Sequence, residues 1–166
     1  MQGVGIVLLC ILTAIIYGVL HDQVTARLCV EYFTVGHPQF FGTDDPTLLA
    51  FGWGIVATWW VGLILGGLLA IVARAGVRPK RNVWDLYRPL IVLVLVTGCC
   101  ALIAGVCGWL LAEMGMVQLV GEFARKVPPE KHAAFIADIW AHSASYIVGA
   151  VGGIVVMVQT WRSRHD

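Results

Sequence analysis

Four of the five histidines lie in two polar stretches of an otherwise apolar chain. Residues 21–38 contain two of them, and residues 130–146 contain the other two. Imidazole and carboxylate groups without thiolates are a ligand set for zinc, iron, manganese or copper. The two stretches therefore predict a transition-metal site, with zinc and iron as the leading ions. The predicted ligands are His21, Asp22, His37, His132, Asp138 and His142.

Helical spacing supports this prediction without deciding it. Asp138 and His142 are four residues apart, so on a helix both side chains project from one face. That spacing suits two ligands of one metal ion, and it equally suits an ordinary hydrogen bond between an acid and a histidine. His21 stands at the end of an apolar segment, where a polar side chain near a membrane needs a partner.

Three further residues in the same stretches have side chains suited to catalysis. Glu31 is a candidate general base, Arg27 a candidate ligand for an anionic group, and Tyr146 a candidate proton donor. These roles are assigned from residue type alone. Arg27 and Glu31 are also four apart, which is the spacing of a solvent-exposed ion pair.

The composition predicts an all-α integral membrane protein. Hydrophobic residues make up 59% of the chain, charged residues only 13%, and the mean hydropathy is +0.83. Soluble domains carry about 25% charged residues. Four apolar segments are long enough to cross a bilayer, which takes about 20 helical residues. We expect a single four-helix transmembrane domain over residues 1–166, with spans at about 3–21, 48–73, 89–112 and 139–160.

Charge asymmetry predicts how these spans are oriented. The loop 74–88 and the tail after the last span contain seven basic residues and two acids, whereas segments 22–47 and 113–138 contain four basic residues and eight acids. Basic residues in short loops are retained on the cytoplasmic side. We therefore expect both termini in the cytoplasm of a polytopic inner-membrane protein, with the histidine-rich stretches facing the extracytoplasmic side.

Local signals predict where the helices begin and end. Asp45 and Pro46 are typical of an N-cap and a first helical position, and Pro89 is expected to begin the third helix. Neither the first span up to Phe33 nor the segment 130–148 contains a proline. We therefore expect the first and fourth helices to extend beyond the membrane on the extracytoplasmic side.

Three classes of function fit these features. The first is a metal-dependent enzyme that acts on a lipid-like or interfacial substrate by hydrolysis or oxidation. The second is an electron-transfer protein with haem b held between His21 and His142. The third is a non-enzymatic accessory or scaffold subunit. The expected partners are the lipid bilayer and a membrane protein or second copy of the chain, with no nucleic acid.

Two other classes match the sequence poorly. The five cysteines form no CxxC pair, since Cys99 and Cys100 are adjacent, which argues against a thiol oxidoreductase. The middles of the spans contain no acid or base, which argues against a transporter with a substrate or proton path at mid-membrane.

Overall fold

The computed structural model describes residues 1–165, and every regular element within them is helical. Two single 3₁₀ turns, Pro129–Lys131 and Ser163–His165, accompany the longer helices. The described part of the chain contains seven α-helices: α1 (Gln2–Leu28), α2 (Val30–Thr34), α3 (Pro46–Val56), α4 (Trp59–Arg74), α5 (Val83–Glu113), α6 (Gly121–Lys126) and α7 (His132–Arg162).

Among residues 1–165, four helical segments are long and apolar enough to cross a membrane. These are α1, the α3–α4 pair taken together, α5, and α7 with the 3₁₀ turn before it. In the bundle, α1 packs mainly against α3 and α4, and α5 packs mainly against α7. The predicted four-span architecture of a membrane protein is confirmed at this level.

Glycine allows α1 to approach the second span closely. A Cβ atom on Gly18 would lie 2.6 Å from the carbonyl oxygen of Gly54, and one on Gly62 would lie 2.6 Å from the Cα of Ile11. Backbone atoms cannot move aside as a flexible side chain can, so these positions exclude larger residues. Helices in lipid associate through such close packing of small residues.

The helix start predicted at Asp45 and Pro46 is confirmed, and the one predicted at Pro89 is wrong. The Asp45 side chain accepts a hydrogen bond from the Leu48 N–H, with Pro46 as the first helical residue. The third long helix, however, begins at Val83 rather than at Pro89, which lies inside it. Asn82 and Asp85 form a capping box there, and this satisfies backbone donors six residues before the proline.

The first and fourth helices are long, and the first is followed by a break. Their extension beyond the membrane stays a prediction. α1 runs to Leu28, Cys29 adopts an extended conformation with φ −147° and ψ 93°, and α2 then continues to Thr34. α7 is continuous over 31 residues. The break re-aims the chain after α1, so that the aromatic residues of α2 come to lie over α7.

At the end of the bundle away from α2, Arg164 connects the turn after α7 to the end of α4. Arg164 is fully buried, and its guanidinium donates to the carbonyl oxygens of Val72, Ala75, Arg78 and Pro79 at 2.5 to 3.1 Å. Those carbonyls belong to the last turn of α4 and the loop that follows. A cation is favourable at the C-terminal end of a helix, where carbonyl groups lack intrahelical partners.

Candidate metal site

Three of the predicted ligands meet where α1 lies against α7. His21, Asp22 and His142 each offer a ligand atom, and these atoms all lie within 4.8 Å of one another. Asp22 is buried and the two histidines are largely buried. We refer to these three residues as the trio. The trio is a set of two imidazoles and one carboxylate contributed by the first and last spans.

The orientation of the His142 ring decides which nitrogen is available to a metal. Its Nδ1–H donates to the carbonyl oxygen of Asp138 at 2.8 Å, one turn earlier on α7. In the neutral ring, Nε2 therefore carries a lone pair, and it lies 3.3 Å from Oδ1 of Asp22. A histidine ligand is commonly oriented by such a bond from its other nitrogen to a carbonyl group.

The contact between His142 and Asp22 brings two electron-rich atoms together unless something lies between them. A proton on either group would make a hydrogen bond, and a cation would bind both. Two ligands held at ~2.0–2.1 Å from a tetrahedral zinc ion lie roughly 3.3 Å apart. The separation of 3.3 Å therefore suits a shared metal ion as well as it suits a hydrogen bond.

His21 distinguishes these two interpretations. Its Nε2 is buried and has no hydrogen-bond partner among residues 1–165. The ring packs edge to face with His142, with centroids 4.6 Å apart, and stacks on Tyr17 at 5.6 Å. If a proton joined His142 to Asp22, Nε2 of His21 would still have no hydrogen-bond partner. A buried polar atom without a partner is costly, so this interpretation does not account for the position of His21. A metal ion bound by the trio would use it.

Asp138 forms a second anomaly behind the trio. Its side chain is fully buried, and within the described part of the chain neither carboxylate oxygen has a hydrogen-bond partner. It lies close enough to Asp22 and Glu31 to interact with both electrostatically. Buried charged groups normally pair with an opposite charge or coordinate a metal. Asp138 therefore belongs to the same electrostatic cluster as the trio, although its oxygens lie outside the group of three ligand atoms.

Aromatic side chains of α2 and α7 (Tyr32, Phe33 and Phe135) form a wall along one side of the trio. The Tyr32 ring lies 4.4 Å from that of His142 and 5.6 Å from that of Phe135. Phe33 lies 5.9 Å from His142 on another side. These residues come from α2 and α7, so the break at Cys29 is what places α2 over the site. The sequence prediction missed this wall, although the density of aromatic residues after His21 was visible.

His37 follows Gly36 and folds back toward the site. Its ring stacks on Phe33, lies 4.6 Å from Trp53, and donates from Nδ1 to the Tyr32 carbonyl oxygen at 2.9 Å. Burial lowers the pKa of His37, with the hydrogen bond to Tyr32 opposing that shift. The ring is therefore neutral at neutral pH, the state in which a histidine can bind a metal, but it stands outside the trio.

Burial keeps two side chains of this region, the Tyr32 phenol and the Cys29 thiol, in their protonated forms. Burial raises the pKa of the Tyr32 phenol, and the nearby carboxyl group of Asp138 adds to that shift. Burial likewise raises the pKa of the Cys29 thiol to about 12. The Cys29 Sγ donates to Glu31 at 3.4 Å. Cys29 is therefore a buried neutral thiol, and a role as a thiolate ligand or nucleophile does not suit it.

The remaining predicted residues lie elsewhere. His132 donates from Nε2 to the Val127 carbonyl oxygen at 3.0 Å, in the turn that leads into α7. Arg27 is exposed and donates to Gln23 and to the Thr47 hydroxyl group. None of these bonds reaches a member of the trio, so the structure gives these two side chains structural partners.

The other two catalytic candidates lie nearer the site. Glu31 accepts the Cys29 bond and interacts electrostatically with Asp138. Tyr146 lies one turn after His142 on α7, is 47% exposed, and is close enough to Asp22 to interact with it electrostatically. Tyr146 therefore places a phenol at the exposed edge of the cluster.

Comparison with family models, with curated proteins and with solved structures finds no match to this chain. The chain has the class of a four-span helical membrane protein with a histidine and aspartate cluster at one end of its bundle. Its function is therefore inferred from the geometry of that cluster.

Proposed function

We propose that this chain is a membrane metalloprotein in which His21, Asp22 and His142 bind one divalent transition-metal ion, zinc or iron. The observation that carries the proposal is the buried, unpartnered Nε2 of His21 beside the 3.3 Å contact of the other two ligands. Two histidines and a carboxylate with open positions are used by non-haem iron enzymes and by zinc hydrolases.

Three protein ligands leave coordination positions for water and substrate, and this supports an enzyme. Zinc in such a site would activate water for hydrolysis, and iron would support oxidation. Tyr146 and Glu31 are the side chains best placed to move protons there. Phe40 is 71% exposed and packs on Trp53 beside His37. An exposed phenylalanine next to the site favours a substrate that arrives from the membrane interface.

The side of the membrane is part of the proposal. The trio lies at the end of the bundle opposite the arginine-rich loop, where Arg81 bonds to Ser163 and Arg164 to the end of α4. Basic loops remain in the cytoplasm, which supports an extracytoplasmic site in the cytoplasmic membrane. A cysteine introduced beside Phe40 and labelled from outside intact cells would test this orientation.

Metal content tests the proposed site. The protein is purified in mild detergent, stripped of metal, given zinc or ferrous iron, and freed of unbound ions before elemental analysis. His142→Ala is compared with the wild type and with His132→Ala, a matched control on the same helix with a structural partner. We expect one ion per chain in the wild type and the control, and none in His142→Ala. Equal retention in all three, or none in the wild type, would refute the site.

The haem alternative is checked on the same samples by a visible spectrum. A haem held by both histidines needs the two rings on opposite faces of the porphyrin, whereas here they pack edge to face with centroids 4.6 Å apart. We therefore expect no Soret band from the protein after incubation with haem and removal of the unbound haem. The accessory-subunit alternative stays a prediction, and it requires His142→Ala to alter complex formation without changing bound metal.

A further inference from the structure

At the arginine-rich end of the bundle, a polar pocket lies between the start of α5 and the end of α7. It has a volume of about 560 Å³, and the polar or charged residues that line it include Arg81, Asp85, Arg88, Gln159, Thr160 and Ser163. The basic side chains come from α5 and the loop before it, and the hydroxyl groups come from the other side of the pocket. The Ser163 hydroxyl group donates to the Thr160 carbonyl oxygen at 2.8 Å, so the arginines are the donors that a bound phosphate group would use.

The charge balance of this pocket is positive. Asp85 is the single acid among its lining residues, and its carboxylate is engaged in the capping box with the Asn82 N–H at 2.8 Å. Arg81 is oriented by its bond to the Ser163 hydroxyl group at 3.1 Å. Arg88 is exposed, and its Nε donates to the Tyr87 hydroxyl group at 3.0 Å, a bond that does not use Nη1 or Nη2.

An apolar groove continues directly from this pocket. The groove has a volume of about 700 Å³ and shares Arg88, Pro89 and Gln159 with the polar pocket. Beyond those three residues its walls are apolar, formed by α5 and α7 and including Val92, Val96, Ile147, Val151 and Val155. A basic pocket that opens into an apolar groove along two membrane-spanning helices matches a charged headgroup joined to an acyl chain.

We propose that these two joined cavities bind an anionic phospholipid, with its phosphate beside Arg81 and Arg88 and one acyl chain in the groove between α5 and α7. Basic pockets between transmembrane helices are known sites for anionic headgroups. The site is distinct from the trio, which lies at the other end of the bundle. A free phosphate ion would use only the polar pocket and would leave the groove without a role.

Lipid retention tests this proposal. The full chain is purified from mixed vesicles of phosphatidylglycerol and phosphatidylcholine in equal amounts, and the retained lipid is measured by native mass spectrometry. We expect one phosphatidylglycerol per chain in clear excess over phosphatidylcholine. Arg88→Gln is expected to lower its occupancy about fivefold, the contribution of one basic side chain near an anionic headgroup. Arg125→Gln, an exposed arginine in α6, is the matched control with no expected change.

A second variant tests the acyl chain separately. Val155→Trp narrows the groove, whose volume is about 700 Å³, and keeps both arginines, so it is expected to lower retention of phosphatidylglycerol. Loss in Arg88→Gln with full retention in Val155→Trp would overturn the lipid assignment, as would displacement of the lipid by millimolar inorganic phosphate. Equal retention of both lipids by the wild type would also overturn it. Thermal unfolding of each variant in detergent confirms that the compared proteins are folded.

Discussion

Nε2 of His142 and Oδ1 of Asp22 lie 3.3 Å apart, although 120 residues separate them in the sequence. Nδ1 of the same ring already donates to a backbone carbonyl group, so Nε2 of the neutral ring has no proton to donate. The contact is therefore favourable only when a proton or a cation lies between the two atoms. A carboxylate draws a metal ion by charge, and an amide of the same shape does so far less.

Asp22→Asn is therefore expected to remove metal binding while keeping the fold. The affinity for zinc should fall by more than the roughly 10–100-fold that loss of an outer-sphere partner costs. Competition with a chromogenic chelator measures this in detergent. Asp44→Asn, at an exposed position in the loop before α3, is the control and should keep the wild-type affinity. Wild-type affinity in Asp22→Asn would show that this carboxylate is not a ligand.

Asp138→Leu is expected to stabilise the metal-free protein. The carboxyl group is buried and, among residues 1–165, has no hydrogen-bond partner, so an apolar side chain of similar shape removes a desolvation penalty of about 1–3 kcal/mol. Thermal unfolding with a chelator present measures the change. With metal added, the same variant should gain less stability than the wild type, because a carboxyl group that could ionise beside the bound cation is gone. A lower melting temperature without metal would contradict the first expectation.

Adjacent glycines of α4 provide a matched pair for the packing of the bundle. A Cβ on Gly66 would lie 2.8 Å from the Cα of Val7 in α1, whereas one on Gly67 would meet nothing within 4 Å. Gly66→Ala should therefore lower the free energy of unfolding by about 1–3 kcal/mol. Gly67→Ala should leave it unchanged or raise it by up to about 1 kcal/mol through helix propensity. Equal effects of the two substitutions would mean that α1 and α4 do not approach as described.

Cys29 is expected to resist alkylation in the folded protein. Its thiol is fully buried with a pKa of about 12, and the thiolate is the reactive form. A variant that keeps Cys29 as its single cysteine should react with iodoacetamide at pH 8 only after denaturation. The raised pKa also means that Cys29 stabilises the fold below the thiol's usual pKa, and that this contribution is lost as the pH rises toward 12. Rapid labelling of the native variant would show that the break after α1 opens to solvent.

The architecture was predictable because hydropathy is a property of whole segments. A run of about twenty apolar residues is the length of a membrane-spanning helix. A helix N-cap such as Asp45 depends only on the next three residues. Cys29 shows where this reasoning stops. No glycine or proline lies beside the break between α1 and α2, and the packing of α2 on α7 is what stabilises it.

The site was predictable as a neighbourhood but not as a set of contacts. The spacing of Asp138 and His142 suggested that these two side chains act together, yet it is the Asp138 carbonyl oxygen that holds the ring. Asp22, on another helix, provides the carboxylate instead. Which acid faces which histidine depends on the rotation of α1 against α7, and the contacts that fix this rotation join residues far apart in the sequence.

Arg164 was missed for a similar reason. In the sequence it is one more basic residue of the tail, and it counted only toward the orientation of the spans. Its four backbone partners all come from residues 72–79, more than eighty positions earlier. No local pattern predicts that a tail arginine will cap the end of the second span.

The contact between Asp22 and His142 also bears on the order in which the parts of the protein are completed during synthesis. A ribosome that adds about 5–20 residues per second needs roughly 6–24 s to make the chain between them. Throughout that interval Asp22 and His21 lack the side chain of His142. The contact closes only when α7 has been made, so this end of the bundle is completed last.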